Sequence, residues 1–242
     1  MSQLLDYDLT TSQFGFSAVS IDDLGATEYT LVTIAVDASS SVGGFKPELE
    51  KCLKEIVTAC RKSPRADNLL LRILTFGSNL NEMHGFKTLE NCNEDDYDDS
   101  VNPYGMTALA DATVNAAEAI GTYGKDLFEN DYLVNGILIV VTDGGENHST
   151  NTEKQAKNAI AKVMKDECLE SLVSILVGVN VSDSQVAGEI QDFNAKVDFD
   201  QYIEVDNATA GTLAKLAKFV SQSISSQSQA LGSGTASQPI KF

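Results

Sequence analysis

Short apolar runs alternate with amphipathic segments along most of the chain. Nearly continuous runs of Val, Ile and Leu are typical of strands that are covered on both faces. Five such runs predict strands, at residues 31–36, 69–76, 136–142, 172–179 and 202–205. Between them, apolar residues recur at the spacing of one helix face, at residues 49–60, 156–164 and 213–224.

Strands that alternate with helices indicate an α/β fold with a doubly wound, mostly parallel sheet and helices on both faces. The segment 81–89 follows the preceding strand too closely for a crossover helix, so it predicts one short antiparallel edge strand. Binding sites in such sheets lie outside the carboxyl ends of the strands. Polar residues directly after the strands are therefore the first candidates for a functional site.

The chain of 242 residues is long enough for one sizeable core, which we assign to residues 28–225. Residues 1–27 are predicted to form an N-terminal arm or an extra strand. Residues 226–242 are rich in Ser, Gln and Gly, and this composition buries little apolar surface. We therefore expect a flexible tail there.

Oxygen-bearing side chains follow two of the predicted strands. Asp37, Ser39 and Ser41 form a D-x-S-x-S motif after the first strand, Thr107 begins a helical pattern, and Asp143 ends another strand. Alternate residues of an extended turn can direct their oxygens to one point, and hard oxygen ligands are what Mg²⁺ prefers. Asp and Ser are also common in turns and helix caps, so each motif alone is a weak signal.

Together, in this order, the motifs resemble the von Willebrand factor type A (vWA) family, whose metal-ion-dependent adhesion site (MIDAS) uses those five positions. The resemblance implies that the serines and the threonine coordinate the ion, that the aspartates act directly or through water, and that an open position accepts a partner's carboxylate. It implies Mg²⁺ as the cofactor, with Mn²⁺ or Ca²⁺ as alternatives. The sequence departs from the family at Ala38 and Ser40, where glycine is frequent.

The resemblance to intracellular bacterial or bacteriophage members implies a metal-dependent protein-protein interaction module without enzymatic activity. Such members often work beside AAA+ ATPases as adaptors or assembly factors. Two alternatives are a structural assembly component whose metal only stiffens loops, and a metal-dependent hydrolase with Lys46, Lys125 or His148 as its base. Neither a P-loop nor G-x-G-x-x-G is present, which argues against nucleotide binding.

The formal net charge of −18 argues against partners that are nucleic acids or anionic membranes, because both reward clustered Lys and Arg. Six carboxylates crowd residues 90–99, just before Thr107. We interpret this run as a solvated loop near the metal face, with a second cation site as the alternative. Glu146 and His148 follow Asp143 and either support the site or lie in solvent.

The four cysteines form no C-x-x-C motif. Cys52 and Cys60 fall on one helix face, where they are predicted to be small core residues, as in a reducing compartment. No signal peptide and no membrane span can be recognised in the sequence. We therefore expect a cytoplasmic protein.

Overall fold

The computed structural model describes residues 3–181, 183–235 and 240–242. These residues contain eight strands and five α-helices. The strands are β1 (Leu4–Tyr7), β2 (Phe16–Val19), β3 (Glu28–Asp37), β4 (Leu69–Phe76), β5 (Leu80–Thr88), β6 (Leu133–Thr142), β7 (Ser171–Val179) and β8 (Gln201–Val205). The helices are α1 (Lys46–Arg61), α2 (Leu109–Glu129), α3 (Glu153–Lys165), α4 (Ser184–Val197) and α5 (Ala210–Ser233).

The strands form one sheet in the order β1-β2-β5-β4-β3-β6-β7-β8. The five strands from β4 to β8 in this order are parallel to one another. Strand β3 lies between β4 and β6, and its register places Val36 opposite Val141. The predicted α/β fold with a mostly parallel sheet is confirmed, and the carboxyl ends of β3 and β6 lie side by side.

The core consists of two clusters of buried residues. Leu31 and Ala35 of β3 belong to one cluster, together with residues of α2, α3 and α4. Val32, Ile34 and Val36 belong to the other, together with residues of α1 and α5. Since successive side chains of a strand point to opposite faces, the two clusters lie on opposite sides of the sheet.

The predicted antiparallel strand at 81–89 is present as β5, which pairs antiparallel with β4. Its predicted edge position is wrong, because β2 and β1 extend the sheet beyond it. Strand β2 lies very close to β5 at Gly85. A Cβ atom on Gly85 would lie 1.9 Å from the carbonyl oxygen of Ser17, so only glycine fits there. Part of the segment 1–27 therefore forms strands; Met1 and Ser2 lie outside the described residues.

A buried arginine ties this N-terminal segment to the sheet. Arg72 of β4 donates from Nε to Oε1 of Glu82 at 2.7 Å and from Nη2 to Oδ1 of Asn115 at 2.8 Å. The other carboxylate oxygen of Glu82 accepts hydrogen bonds from the backbone N–H and the hydroxyl of Ser17. The charge of the buried guanidinium is thus paired with the Glu82 carboxylate, which offsets the free-energy cost of its desolvation. The same carboxylate binds Ser17 and so attaches β2 to the sheet.

The flexible tail predicted from residue 226 onward is wrong for residues 226–233, which belong to α5. Four of these residues are buried, namely Gln227, Ser228, Ala230 and Leu231. The buried Asn135 of β6 donates from Nδ2 to the carbonyl oxygen of Gln227 at 2.9 Å. Small side chains let the helix backbone come close to the sheet, so packing and a buried hydrogen bond order a segment of low hydrophobicity.

The last three residues also contact the domain. The carbonyl oxygen of Ile240 accepts a hydrogen bond from Nε2 of Gln201 at 2.5 Å. The ring of Phe242 packs edge-on against Phe219, with a centroid distance of 5.3 Å. The predicted tail residues 236–239 lie outside the described residues.

All four cysteines are free thiols. Cys52 and Cys60 are buried in the cluster that contains α1, as predicted, and burial raises the pKa of both thiols. Cys92 is buried too, whereas Cys168 is only partly buried. No described helix has the length and apolar character needed to cross a membrane.

Truncation after Ser226 should destabilise the domain, because it removes Leu231 from the core and leaves the Asn135 amide without its acceptor. We expect a loss of about 3 kcal/mol or more in the free energy of unfolding, measured by urea denaturation. Truncation after Thr235 is the matched control, since it leaves α5 whole. Equal stability of the two truncated proteins would contradict the assignment of residues 226–233 to the folded domain.

The stability should also depend on pH through His84, whose ring bonds to the Gly85 carbonyl and the Tyr97 hydroxyl. Burial, and next the charge of Lys87, lower the pKa of His84 from 6.5 to about 4. Between these values the unfolded chain binds the extra proton, so acidification weakens folding by up to about 1.4 kcal/mol per pH unit.

His84→Gln should remove this contribution from urea-unfolding curves recorded across that range, and His148→Gln at an exposed loop position is the control. A wild-type stability that falls no faster than that of His84→Gln would contradict the assignment.

Candidate metal centre

The candidate site lies where β3 and β6 end. Asp37 is the last residue of β3, and Asp143 directly follows β6. The parallel register of the two strands brings both carboxylates to the same edge of the sheet. They are buried, with 1% of Asp37 and 7% of Asp143 exposed.

Both oxygens of Asp37 accept hydrogen bonds. The backbone N–H of Ser39 donates to Oδ1 at 2.7 Å, and the hydroxyl of Thr142 donates to Oδ2 at 2.6 Å. These donors hold the Asp37 carboxylate against the end of β6. In both hydrogen bonds the carboxylate acts as the acceptor, as its charged form requires. Thr142 was not among the predicted site residues, because it ends an apolar run and its position alone does not distinguish it from the rest of the strand.

The two serines link the first motif to the last. The hydroxyl oxygens of Ser39 and Ser41 are 2.9 Å apart, and the hydroxyl of Ser41 donates to Oδ1 of Asp143 at 2.7 Å. Ser39 is buried and Ser41 is exposed, so the site opens to solvent on the side of Ser41. Four of the five predicted residues thus form one continuous set of hydrogen bonds.

Thr107 is held beside this set by backbone contacts. Its N–H donates to Oδ1 of Asn147 at 2.8 Å, and its carbonyl accepts from the N–H of Asn147 at 3.1 Å. A Cβ atom on Gly144 would lie 3.4 Å from the Thr107 hydroxyl oxygen, which places the hydroxyl next to Asp143. Within the described part of the chain, that hydroxyl makes no hydrogen bond. Asn147 is a second positioning residue that the sequence interpretation missed.

Glu146 supports the loops of the site. Of the two possibilities that the sequence left open for this residue, the structure agrees with this one. Its carboxylate accepts hydrogen bonds from the N–H groups of Ala110, His148 and Ser149. It thereby caps the first turn of α2, where a negative charge is favourable, and shapes the turn after Asp143. The His148 side chain is exposed on this turn.

Electrostatically, the site contains two buried carboxylates and no cation: no Lys, Arg or His in the described ranges lies within 4.0 Å of either. Burial raises the pKa of Asp37 to about 6, and the charge of Asp143 adds to this shift. Burial also raises the pKa of Asp143. Buried, unbalanced carboxylates cost free energy, and a divalent cation reverses this by favouring the charged forms.

The donor set fits a hard divalent cation. Two carboxylates and three hydroxyls, from the five predicted residues, are oxygen ligands of the type that Mg²⁺, Mn²⁺ and Ca²⁺ prefer. No group of three or more His, Cys, Asp or Glu suited to a metal occurs among the described residues. The site is therefore poor in charged ligands and would leave coordination positions to water or to a partner.

The acidic run at 90–99 is largely paired with cations and forms no metal cluster in the described chain. Asp98 pairs with Lys54, and Asp99 pairs with Lys46 at 3.1 Å. Both lysines belong to α1, so the run folds along that helix.

No protein-family model matches the sequence, and no curated protein gives a significant match. Solved structures are similar in fold. The PilB minor pilin from Streptococcus sanguinis has a TM-score of 0.60 at 12% identity, over 89% of this chain and 65% of the pilin. The pilus adhesin SpaC from Lactobacillus rhamnosus GG has a TM-score of 0.60 at 10% identity, over 93% of this chain and 34% of the adhesin.

Proximal thread matrix protein 1 from the mussel byssus has a TM-score of 0.51 at 19% identity, over 81% of this chain and 45% of the mussel protein. The chain thus spans less than two thirds of each of these proteins. At such low identity, the similarity concerns the fold alone. It supports the α/β fold with a mostly parallel sheet that the sequence predicts.

Asp143→Asn should stabilise the metal-free protein, because it removes one of two neighbouring buried charges while keeping an acceptor for Ser41. In the presence of EDTA we expect the melting temperature to rise by about 3 °C, equivalent to roughly 1 kcal/mol. Asp206→Asn, at an exposed position after β8, is the control for the change in net charge. A variant that melts below the wild type in EDTA would contradict the unbalanced-charge description of the site.

Proposed function

We propose that the protein is a divalent-metal-dependent protein-protein interaction module. Asp37, Ser39, Ser41, Thr107 and Asp143 hold Mg²⁺, with Mn²⁺ or Ca²⁺ as alternatives, and an Asp or Glu of a partner protein completes the coordination. The observation that carries the proposal is the convergence of two buried, cation-free carboxylates and three hydroxyls at one edge of the sheet.

The hydrogen bonds support a carboxylate as the partner's group. Both oxygens of Asp37 and one oxygen of Asp143 already accept protein donors. Among the described residues, the second oxygen of Asp143 accepts no protein donor, and the hydroxyl oxygens keep lone pairs for an ion. These atoms carry at most one negative charge, which compensates only part of the charge of a divalent cation. A bound ion would supply a positive charge beside Ser41, which is exposed, and this charge would attract a partner's carboxylate.

Of the three candidate bases of the hydrolase alternative, His148 is exposed on the turn after Asp143, whereas both lysines are engaged in ion pairs. Lys46 is paired with Asp99 and Glu50. Lys125 pairs with Glu129 near the far end of α2, about 24 Å along the helix from its first residue. A role without catalysis is thus part of the proposal.

Other parts of the expected function stay predictions: the cytoplasmic location and the association with an AAA+ ATPase. The fold is also found in a protein named as a pilus adhesin, which supports a binding role. The stiffening alternative differs from the proposal in one property, since a purely structural ion would not respond to an added carboxylate.

Isothermal titration of Mg²⁺ and Mn²⁺ into chelator-stripped protein tests the metal site. Asp37→Ala should abolish binding and leave the circular dichroism spectrum unchanged, because Asp37 lies outside the two core clusters. Thr107→Ala should weaken binding by about tenfold, since a neutral hydroxyl is one ligand among several. Asp206→Ala is the charge control and should bind as the wild type does.

The titration is repeated with excess acetate, which should tighten metal binding if a carboxylate completes the coordination. Tight binding that is insensitive to acetate favours the stiffening role. A wild type that binds neither metal, with or without acetate, would contradict the proposal.

A further inference from the structure

Two large apolar side chains project into solvent directly before Thr107. In the loop of residues 103–107, which we call the Tyr104 loop, 78% of Tyr104 and 48% of Met106 are exposed. Tyr104 is the most exposed large apolar residue in the described chain. Single exposed apolar residues are common on protein surfaces, but these two lie in the loop that leads into the candidate site.

The backbone of this loop is bound to the D-x-S-x-S segment. The N–H of Tyr104 donates to the carbonyl of Ala38 at 2.8 Å, and the N–H of Ser40 donates to the carbonyl of Gly105 at 3.2 Å. Gly105 adopts a positive φ of 78°, which a residue with a side chain would adopt only with strain. The exposed side chains are therefore attached to a backbone that the site itself holds.

The other side of the loop is fixed by the turn after β4. The N–H of Met106 donates to the hydroxyl of Ser78 at 3.0 Å, and the N–H of Ala108 donates to the carbonyl of Gly77 at 2.9 Å. A Cβ atom on Gly77 would lie 2.6 Å from the carbonyl oxygen of Tyr104, so the two segments are in close contact. A loop fixed on both sides presents its side chains with little loss of entropy on binding.

The charges around the site restrict the partner further. Glu189 is exposed and lies against Gly145, two residues after Asp143. With a net charge of −18, the protein repels an acidic partner except at the ion itself.

We propose that Tyr104 and Met106 anchor the partner beside the metal. The partner is then a polypeptide segment in which an Asp or Glu is flanked, within a few residues, by an apolar side chain and by Lys or Arg. The carboxylate completes the metal site, the apolar side chain packs on the two anchors, and the basic residue faces Glu189. This inference rests on the proposed function.

The anchor role agrees with the chemistry of the two residues. Tyr is enriched among residues that dominate binding energies, because it offers a large contact area with few rotatable bonds. Met adapts its shape to different apolar partners. Neither side chain makes a hydrogen bond or ring contact within the described residues, so neither has an evident part in holding the fold.

The test uses a phage-displayed library of random heptapeptides, selected on the Mg²⁺-loaded full chain and released with EDTA. The released sequences should combine an acidic residue with an apolar and a basic one. Synthetic peptides of these sequences are then titrated into wild type, Tyr104→Ser and Met106→Ser. Each substitution should weaken peptide binding about tenfold or more and leave Mg²⁺ affinity unchanged.

Phe128→Ser is the matched control, because Phe128 is as exposed as Met106 but lies at the far end of α2. It should bind the peptides as the wild type does. EDTA-released peptides that bind Tyr104→Ser and Met106→Ser as tightly as the wild type would overturn this inference and leave the proposed function standing. A library from which EDTA releases no sequence would contradict the proposed function and, with it, the anchors.

Discussion

Two carboxylates that are buried side by side without a cation are the constraint around which this edge of the sheet is organised. Because β3 and β6 pair in parallel, Asp37 and Asp143 must both lie at the carboxyl end of the sheet, next to each other. Each donor near them reduces the cost of their desolvation: the hydroxyls of Thr142 and Ser41 and the N–H of Ser39. The loops that carry these donors are consequently confined to one arrangement.

This constraint couples the site to the stability of the whole domain. Hydrogen bonds to neutral donors lower the cost of burying a carboxylate but supply no opposite charge, so burial still raises the pKa of Asp37. The two core clusters must provide the compensating free energy. A ligand that binds only the folded state adds its binding free energy to folding, and a cation at this position would do so directly.

The sequence predicted the five candidate ligands because each lies at a strand end or a helix start, where local patterns are informative. It did not reveal Thr142 or Asn147, because their roles depend on hydrogen bonds with Asp37 and Thr107 that no local pattern encodes. The inner position of β5 depends on the close approach of another strand at Gly85, which no local pattern encodes. The composition of residues 226–233 led to the wrong prediction of a flexible tail. Small side chains and the Asn135 hydrogen bond order that segment although it buries little apolar area.

Metal coordination alone would make a poorly selective contact, because every protein surface carries carboxylates. A bound ion would attract carboxylates at short range, whereas the charge of −18 repels acidic surfaces over a distance of about one Debye length, roughly 8 Å at physiological salt. A partner must therefore present its carboxylate within a locally basic or apolar setting. The backbone holds Tyr104 and Met106 beside the candidate metal site, where they would favour a partner with apolar residues next to its carboxylate. Affinity and selectivity would then arise from different residues of one surface.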